Sequence, residues 1–217
     1  NQMVNKDSAQ PKDTERKILD AARRIFENKG FDGARMQEIA DEAGINKSLL
    51  HYYFRSKTKL FDEIFIEAFK DFWPSIEDVA QKEDAGIRDL VRTAVNGYID
   101  ILSGMPFLAA FIVGEVNRSP DRVRELMEKV GIQPQRSLNF IQQAIDKGEI
   151  LPMDPREFIV NLVALSVFPF LSRPLISRMF WESQQEYDRF LQTRRDSLVD
   201  FICRSVLVEK NQTDDFS

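Results

Sequence analysis

Residues Ala34–Phe54 read ARMQEIADEAGINKSLLHYYF. Two short runs with helical spacing of apolar residues flank the triplet Ala43-Gly44-Ile45. The spacing predicts a helix over 36–43, a stop at Gly44, and a second helix over 47–53 behind Asn46, a good N-cap. Gly44 can take the left-handed conformation that a sharp bend needs, because it has no Cβ to collide with the next carbonyl. In this register Ile39, Ala40, Ile45, Leu50 and Phe54 point inward, and the small Ala40 lets the two helices cross closely. The opposite face of the second helix then carries Lys47, Ser48, Leu49, Tyr52 and Tyr53, with no carboxylate among them.

Outward from this unit the chain continues to read as helices. Upstream, Ile18, Ala22, Ile25 and Phe26 form one stripe, with Asp13 or Thr14 placed to cap its start and Gly30 its end. Downstream, a helix starting at Ser56 carries Leu60, Phe61, Ile64, Phe65, Ala68, Phe69 and Phe72 until Pro74 bends or ends it. Further helices are expected over 87–102, 105–116, 121–147 (irregular at Gly131–Pro134), 155–170 (kinked at Pro169) and 186–208. No run alternates as a strand would. The expected fold is all-α with about nine helices. A three-helix helix-turn-helix domain over 14–57 precedes a helical body over 58–210, with flexible tails at 1–13 and 211–217.

Composition narrows the chemistry. The 217 residues are 43% hydrophobic and 30% charged, ordinary for a globular protein. The single cysteine, Cys203, excludes an internal disulfide; on the apolar face of the last helix it reads as a small core residue, with a redox sensor as the alternative. The single histidine, His51, excludes a His cluster for metal and leaves any imidazole catalysis to one ring. Inside the second helix of the opening segment it reads as a DNA contact or a half-buried packing residue. With no Gly-rich constellation either, an enzyme is not expected, nor a catalytic residue, a metal site or a cofactor. The first residues lack an apolar signal core, and the runs 105–113 and 158–171 fall short of the ~20 residues that span a membrane. A soluble, cytoplasmic protein with no membrane partner is the expectation. Net charge is −5, but it is unevenly spread. Residues 1–60 carry twelve Lys/Arg against nine Asp/Glu, a formal +3, and the remainder carries −8. A basic head on an acidic body is the asymmetry expected when only the head meets phosphate.

The exposed face of 47–53 has short and aromatic side chains and can enter a major groove without repelling phosphate. Arg55, Lys57 and Lys59 crowd the start of the following helix, where cations oppose the helix dipole. A phosphate docked on that helix end would remove the conflict; for Lys59, pairing with Glu63 is the alternative. The body is rich in aromatic residues and methionine, with Phe65, Phe69, Phe72, Trp73, Met105, Phe107, Phe111, Phe168, Phe170, Phe180 and Trp181. Such residues line an apolar pocket or fill a core and a subunit interface; sequence leaves both open.

The stretch from Arg16 to about Phe65, with G-F-D-G, I-A, A-G-I and Y-Y-F-R-S-K in order, resembles the tetracycline-repressor (TetR) family of bacterial transcriptional regulators. A weaker likeness lies in Ile141–Ala164, at IQQAIDKGEILPMDPREF. The resemblance implies base or groove contacts from Lys47, Ser48, Leu49 and Tyr52. It implies phosphate contacts from His51, Tyr53 and Lys57, helped by Met36 or Gln37. Departures are His51 where Tyr is usual, Leu49 where Thr or Ser is common, and Ala34-Arg35 in place of a Thr/Ser-rich helix start. Leu49 can touch a thymine methyl, and Arg35 can add a phosphate or base contact. Also implied are a homodimer through the last two long helices, near 156–173 and 186–208, and a palindromic double-stranded operator. An unknown small, apolar effector would release that operator, with Phe65, Phe69, Met105, Phe107, Phe111 and Phe168 as candidate lining. The competing reading is a helical interaction or ligand-binding protein without sequence-specific DNA binding. It accounts for the aromatic body but not for Tyr52-Tyr53-Phe54-Arg55-Ser56-Lys57.

Overall fold

The computed structural model describes residues 11–82 and 84–208. The described residues form twelve α-helices and no strand, with one isolated antiparallel bridge between Ile150 and Leu207. Most of the two expected tails lies outside the described residues, but Pro11–Asp13 form the first turn of α1 (Pro11–Gly33). That helix bends at Gly30 (φ 68°, ψ 174°) and resumes for one short turn. With α2 (Met36–Glu42) and α3 (Lys47–Tyr53) it makes the head. The connecting helix is α4 (Lys57–Phe69), followed by α5 (Phe72–Gln81), α6 (Ile87–Gly104), α7 (Phe107–Arg118) and α8 (Pro120–Lys129). The body closes with α9 (Pro134–Asp146), α10 (Pro155–Leu171), α11 (Arg173–Phe180) and α12 (Gln184–Val206).

Three helices beyond the nine expected have a common cause, the two-sided meaning of proline. Pro74 lies in the first turn of α5, where a missing N–H breaks no intrahelical bond, so it starts a helix and does not end one. Pro134 likewise opens α9, and with Gly131 at φ 87° it splits the expected 121–147 helix in two. Pro174 lies in the first turn of α11, which turns away from α10 by 75°. Pro169 lies inside α10, as the sequence suggested. Among the described residues, no single helix is long and apolar enough to cross a membrane.

A continuous apolar core runs from Ile18 on α1 to Val206 on α12. Where the head meets the body, five phenylalanines interlock. Phe31 lies edge-on to Phe111 at 4.5 Å between centroids, Phe61 stacks on Phe111, and Phe26 lies 6.0 Å from Phe107. Such pairs add about 0.5–1.5 kcal/mol each beyond the burial of their area. Beside them is a charged cluster. Asp62 of α4 and Glu115 of α7 are buried, and the Arg122 guanidinium of α8 donates to both. Arg118 adds a bond to Glu115 at 3.1 Å, and Lys59 stands 3.6 Å from Asp62.

Replacing Arg122 by Met leaves two buried carboxylates without their shared partner. Loss of a partner from a buried ion pair costs about 3–5 kcal/mol. Urea titrations of both proteins should differ by that order; equal midpoints would show that the cluster carries no stability.

Candidate functional site

The bend after α2 is built by backbone bonds. Ala43 N–H donates to Ile39 at 3.0 Å, Gly44 N–H to Asp41 at 3.1 Å, and Ile45 N–H to Ala40 at 3.0 Å. Gly44 has φ 67°, the left-handed value anticipated for it, and the bonds occupy carbonyls that a helix end would otherwise leave orphaned. The Asn46 side chain then accepts from Leu49 N–H at 2.8 Å and starts α3. Ile39, Ala40, Leu50 and Phe54 are buried and Ile45 is half-buried, as the sequence register requires.

With that face anchored, the opposite face of α3 is open. Lys47, Ser48, Leu49 and His51 are exposed, and Tyr52 is 81% exposed. Tyr53 is half-buried, its ring edge-to-face with Tyr52 at 5.5 Å. On α2, Met36 is half-buried and Gln37 is exposed, its amide donating to Asp41 at 2.8 Å. Arg35 precedes the helix, exposed, and its N–H donates to the Glu38 carboxylate at 3.2 Å. The other Glu38 oxygen takes a 2.8 Å bond from Lys29, which holds that carboxyl below its ordinary value and ties α2 to α1.

Lys57 departs from expectation. Its ammonium donates to the carbonyls of Phe31 at 2.5 Å, Ala34 at 3.0 Å and Asp32 at 3.3 Å, and lies 4.5 Å from the Phe31 ring centroid. All three donors serve the turn between α1 and α2, so in the DNA-free chain a structural tie competes with the expected phosphate contact. The physical reason is local: the end of α1 frees carbonyls that need donors. Lys59 pairs with Asp62, not with Glu63.

The six aromatic and methionine candidates for ligand lining are not gathered into one cavity. Phe65 and Phe69 are buried on α4, 4.6 Å from each other, and Met105 is half-buried at the corner between α6 and α7. Phe107 and Phe111 line a cleft of about 540 Å³ between α1, α7 and the start of α11. Phe168 is 58% exposed on α10. A cavity of about 140 Å³, almost wholly apolar, lies elsewhere, between α5, α6, α9 and α10. Phe72, Trp73, Ile76 and Glu77 line it from α5, and Leu90, Ala94 and Tyr98 from α6. Ser137 and Ile141 of α9 and Phe158 and Leu162 of α10 complete most of the wall, with Gln133 from the preceding loop. A Cβ on Gly97 of α6 would overlap the Phe72 ring, so the bare backbone there lets α5 lie close. Reading Pro74 as a stop hides this face. Laid on a helix, Trp73, Ile76 and Glu77 fall at i, i+3 and i+4, on one side.

A short bent helix pair that presents an anchored, carboxylate-free second helix, joined to a helical body with an apolar cavity, defines a DNA-reading regulator. The model of bacterial regulatory proteins of the tetR family matches residues 18–64, so the head of this chain is similar to that family. It is 26% identical over 177 residues to the "Probable HTH-type transcriptional regulator YttP" of Bacillus subtilis, covering 80% of this chain and 84% of that protein. It is 26% identical to the HTH-type transcriptional regulator RutR of Escherichia coli, covering 80% of this chain and 73% of that one. Among solved structures, FadR of Bacillus subtilis in complex with stearoyl-CoA superposes with a TM-score of 0.63 at 18% identity, over 86% of this chain and 96% of that one. The fold is thus that of a helix-turn-helix transcriptional regulator, as the sequence implied.

Lys57→Met distinguishes a tie from a phosphate contact. Duplex-DNA affinity measured across a salt series should fall with its log–log slope unchanged. A slope reduced by about 0.9 would return Lys57 to the phosphate backbone.

Proposed function

We propose that this protein is a homodimeric, ligand-responsive repressor acting in the cytoplasm. Residues 14–57 read a palindromic duplex operator, and residues 58–210 dimerise and bind the effector. The observation that carries the reading is the two-faced α3, with Leu50 buried and Lys47, Ser48, Leu49, His51 and Tyr52 free on the other side. Lys47, Ser48 and Tyr52 are suited to base edges, and Leu49 to a thymine methyl. His51 and Tyr53, with Arg35, Met36 and Gln37 beside them, flank this face and are assigned to the backbone and groove wall.

The dimer reading is supported by apolar side chains that a lone chain leaves in water. Val160 (64% exposed) and Phe168 lie on α10, and Phe201 (61% exposed) on α12. Two copies related by a two-fold axis would cover these faces in a four-helix interface. That symmetry sets the recognition helices about 34 Å apart, one turn of DNA. The apolar cavity is the proposed effector site. Its α5 wall follows α4 directly, and α4 carries Lys57 at its head end. An effector that prefers one arrangement of α5 shifts α4 with it, and operator affinity changes by the effector's differential affinity.

Selecting operators from a random duplex library tests the symmetry: a palindromic consensus is expected, and a non-palindromic one overturns the two-fold reading. With that operator, Lys47→Ala and Tyr52→Ala should each weaken binding by roughly tenfold while sedimentation still reports a dimer. Unchanged binding in both would remove α3 from the DNA contact. Val160→Glu with Phe168→Glu should give a helical monomer; a persisting dimer places the interface elsewhere.

A further inference from the structure

We propose that α11 is a third element of the homodimer interface, with Leu175 and Met179 packing on a second copy of this chain. The inference rests on the two-fold dimer proposed above and extends its contact beyond α10 and α12.

One side of α11 is tied down. Its Arg173 guanidinium donates to Asp188 of α12 at 2.6 Å, and the buried Ser177 hydroxyl donates to the Arg173 carbonyl at 2.6 Å. Trp181, which closes the helix, lies 4.9 Å from the Tyr187 ring and 4.6 Å from that of Phe190. The corner before α11 is fastened to the same helix. Pro169 has no N–H, so the Leu165 carbonyl loses its usual helical donor, and Arg194 of α12 supplies one at 3.0 Å. The Tyr187 hydroxyl donates to the Pro169 carbonyl at 2.6 Å. These bonds hold α11 in place against α12.

The other side is open. Leu175 and Met179, one turn apart and on one side of the helix, are 62% and 61% exposed. Large apolar side chains gathered in water mark a contact surface. Their neighbours indicate what covers them. Phe168 and Leu171, also exposed, precede Leu175 and Met179 at intervals of three or four residues, so the apolar row begins on α10 and continues past the bend. Phe168 already belongs to the proposed two-fold contact, and a symmetric contact that includes it meets the adjoining row next. Area points the same way. A stable interface buries about 800 Å² on each partner. At roughly 150–250 Å² for a large side chain, the exposed parts of Val160, Phe168 and Phe201 come to about 300–400 Å². The outward side of α12 is otherwise polar, with Gln192, Thr193, Asp196, Ser197 and Arg204 exposed. Leu171, Leu175 and Met179 supply nearly as much apolar surface again.

Sedimentation equilibrium of the full chain tests this. Leu175→Glu with Met179→Glu should raise the dimer dissociation constant at least about a hundredfold, roughly tenfold for each interface position. Its circular dichroism should remain that of a folded helical chain. A second readout leaves the dimer intact. Met179→Cys should react with a maleimide at least about tenfold more slowly in the dimer than in the Val160→Glu, Phe168→Glu monomer, because thiol reactivity follows exposure. Cys203 is buried and its thiol is pushed up by burial, so the added thiol carries the signal. Should the Glu pair lose its helical signal, the labelling comparison decides alone. An unchanged dissociation constant, or equal labelling in dimer and monomer, would overturn the α11 contact and leave the α10 and α12 interface standing. A wild-type chain that sediments as a monomer, or a dimer that survives Val160→Glu with Phe168→Glu, would overturn both.

Discussion

The Arg122 guanidinium, divided between Asp62 on α4 and Glu115 on α7, fixes the rotation of the helix on which head and body both depend. Two buried carboxylates are tolerable only because one bidentate cation serves both, with Lys59 and Arg118 at the edges. Turning α4 by one residue would carry Asp62 away from Arg122 and lift Phe61 out of its stack on Phe111. The aromatic contact and the ionic contact therefore select the same register. Through Lys57, whose ammonium fastens the turn after α1, that register also sets where α3 stands relative to the body.

The helix-turn-helix was legible in the sequence because its determinants are local. Gly44 supplies a backbone conformation, Asn46 and Ser56 supply caps, and each acts within three residues of itself. The tie that Lys57 makes was not legible, since the carbonyls it binds lie 23 to 26 residues upstream and carry no sequence signature. Its charge suggested a phosphate, and only the fold reveals the competing acceptors. The body was read correctly in class but not in number, because Pro74, Pro134 and Pro174 look alike whether they stop a helix or begin one. The cavity was the least legible feature. Its wall is drawn from two pairs of consecutive helices, α5 with α6 and α9 with α10, separated by α7 and α8, and no residue pattern announces that the pairs meet.

Between the reading face and the cavity runs a short mechanical path. The 13 residues of α4 span about 20 Å at the usual helical rise. Lys57 lies at one end, and Phe72 and Trp73 follow just beyond the other. Packed cores shift between discrete arrangements and do not flex smoothly, so under the proposed function a small change at α5 would reach the head as a movement of the whole rod.

The interlocked phenylalanines at the junction bear on how separable the two halves are. Phe26 and Phe31 belong to the head by sequence, but Phe107 and Phe111 cover them from the body. A graft that exchanged head modules between related regulators at residue 57 would cut through this shared packing and expose aromatic rings on both pieces. A working chimaera must move the facing positions of α7 together with the head, so the unit of modularity here is a packed surface drawn from two places in the chain, not a contiguous segment.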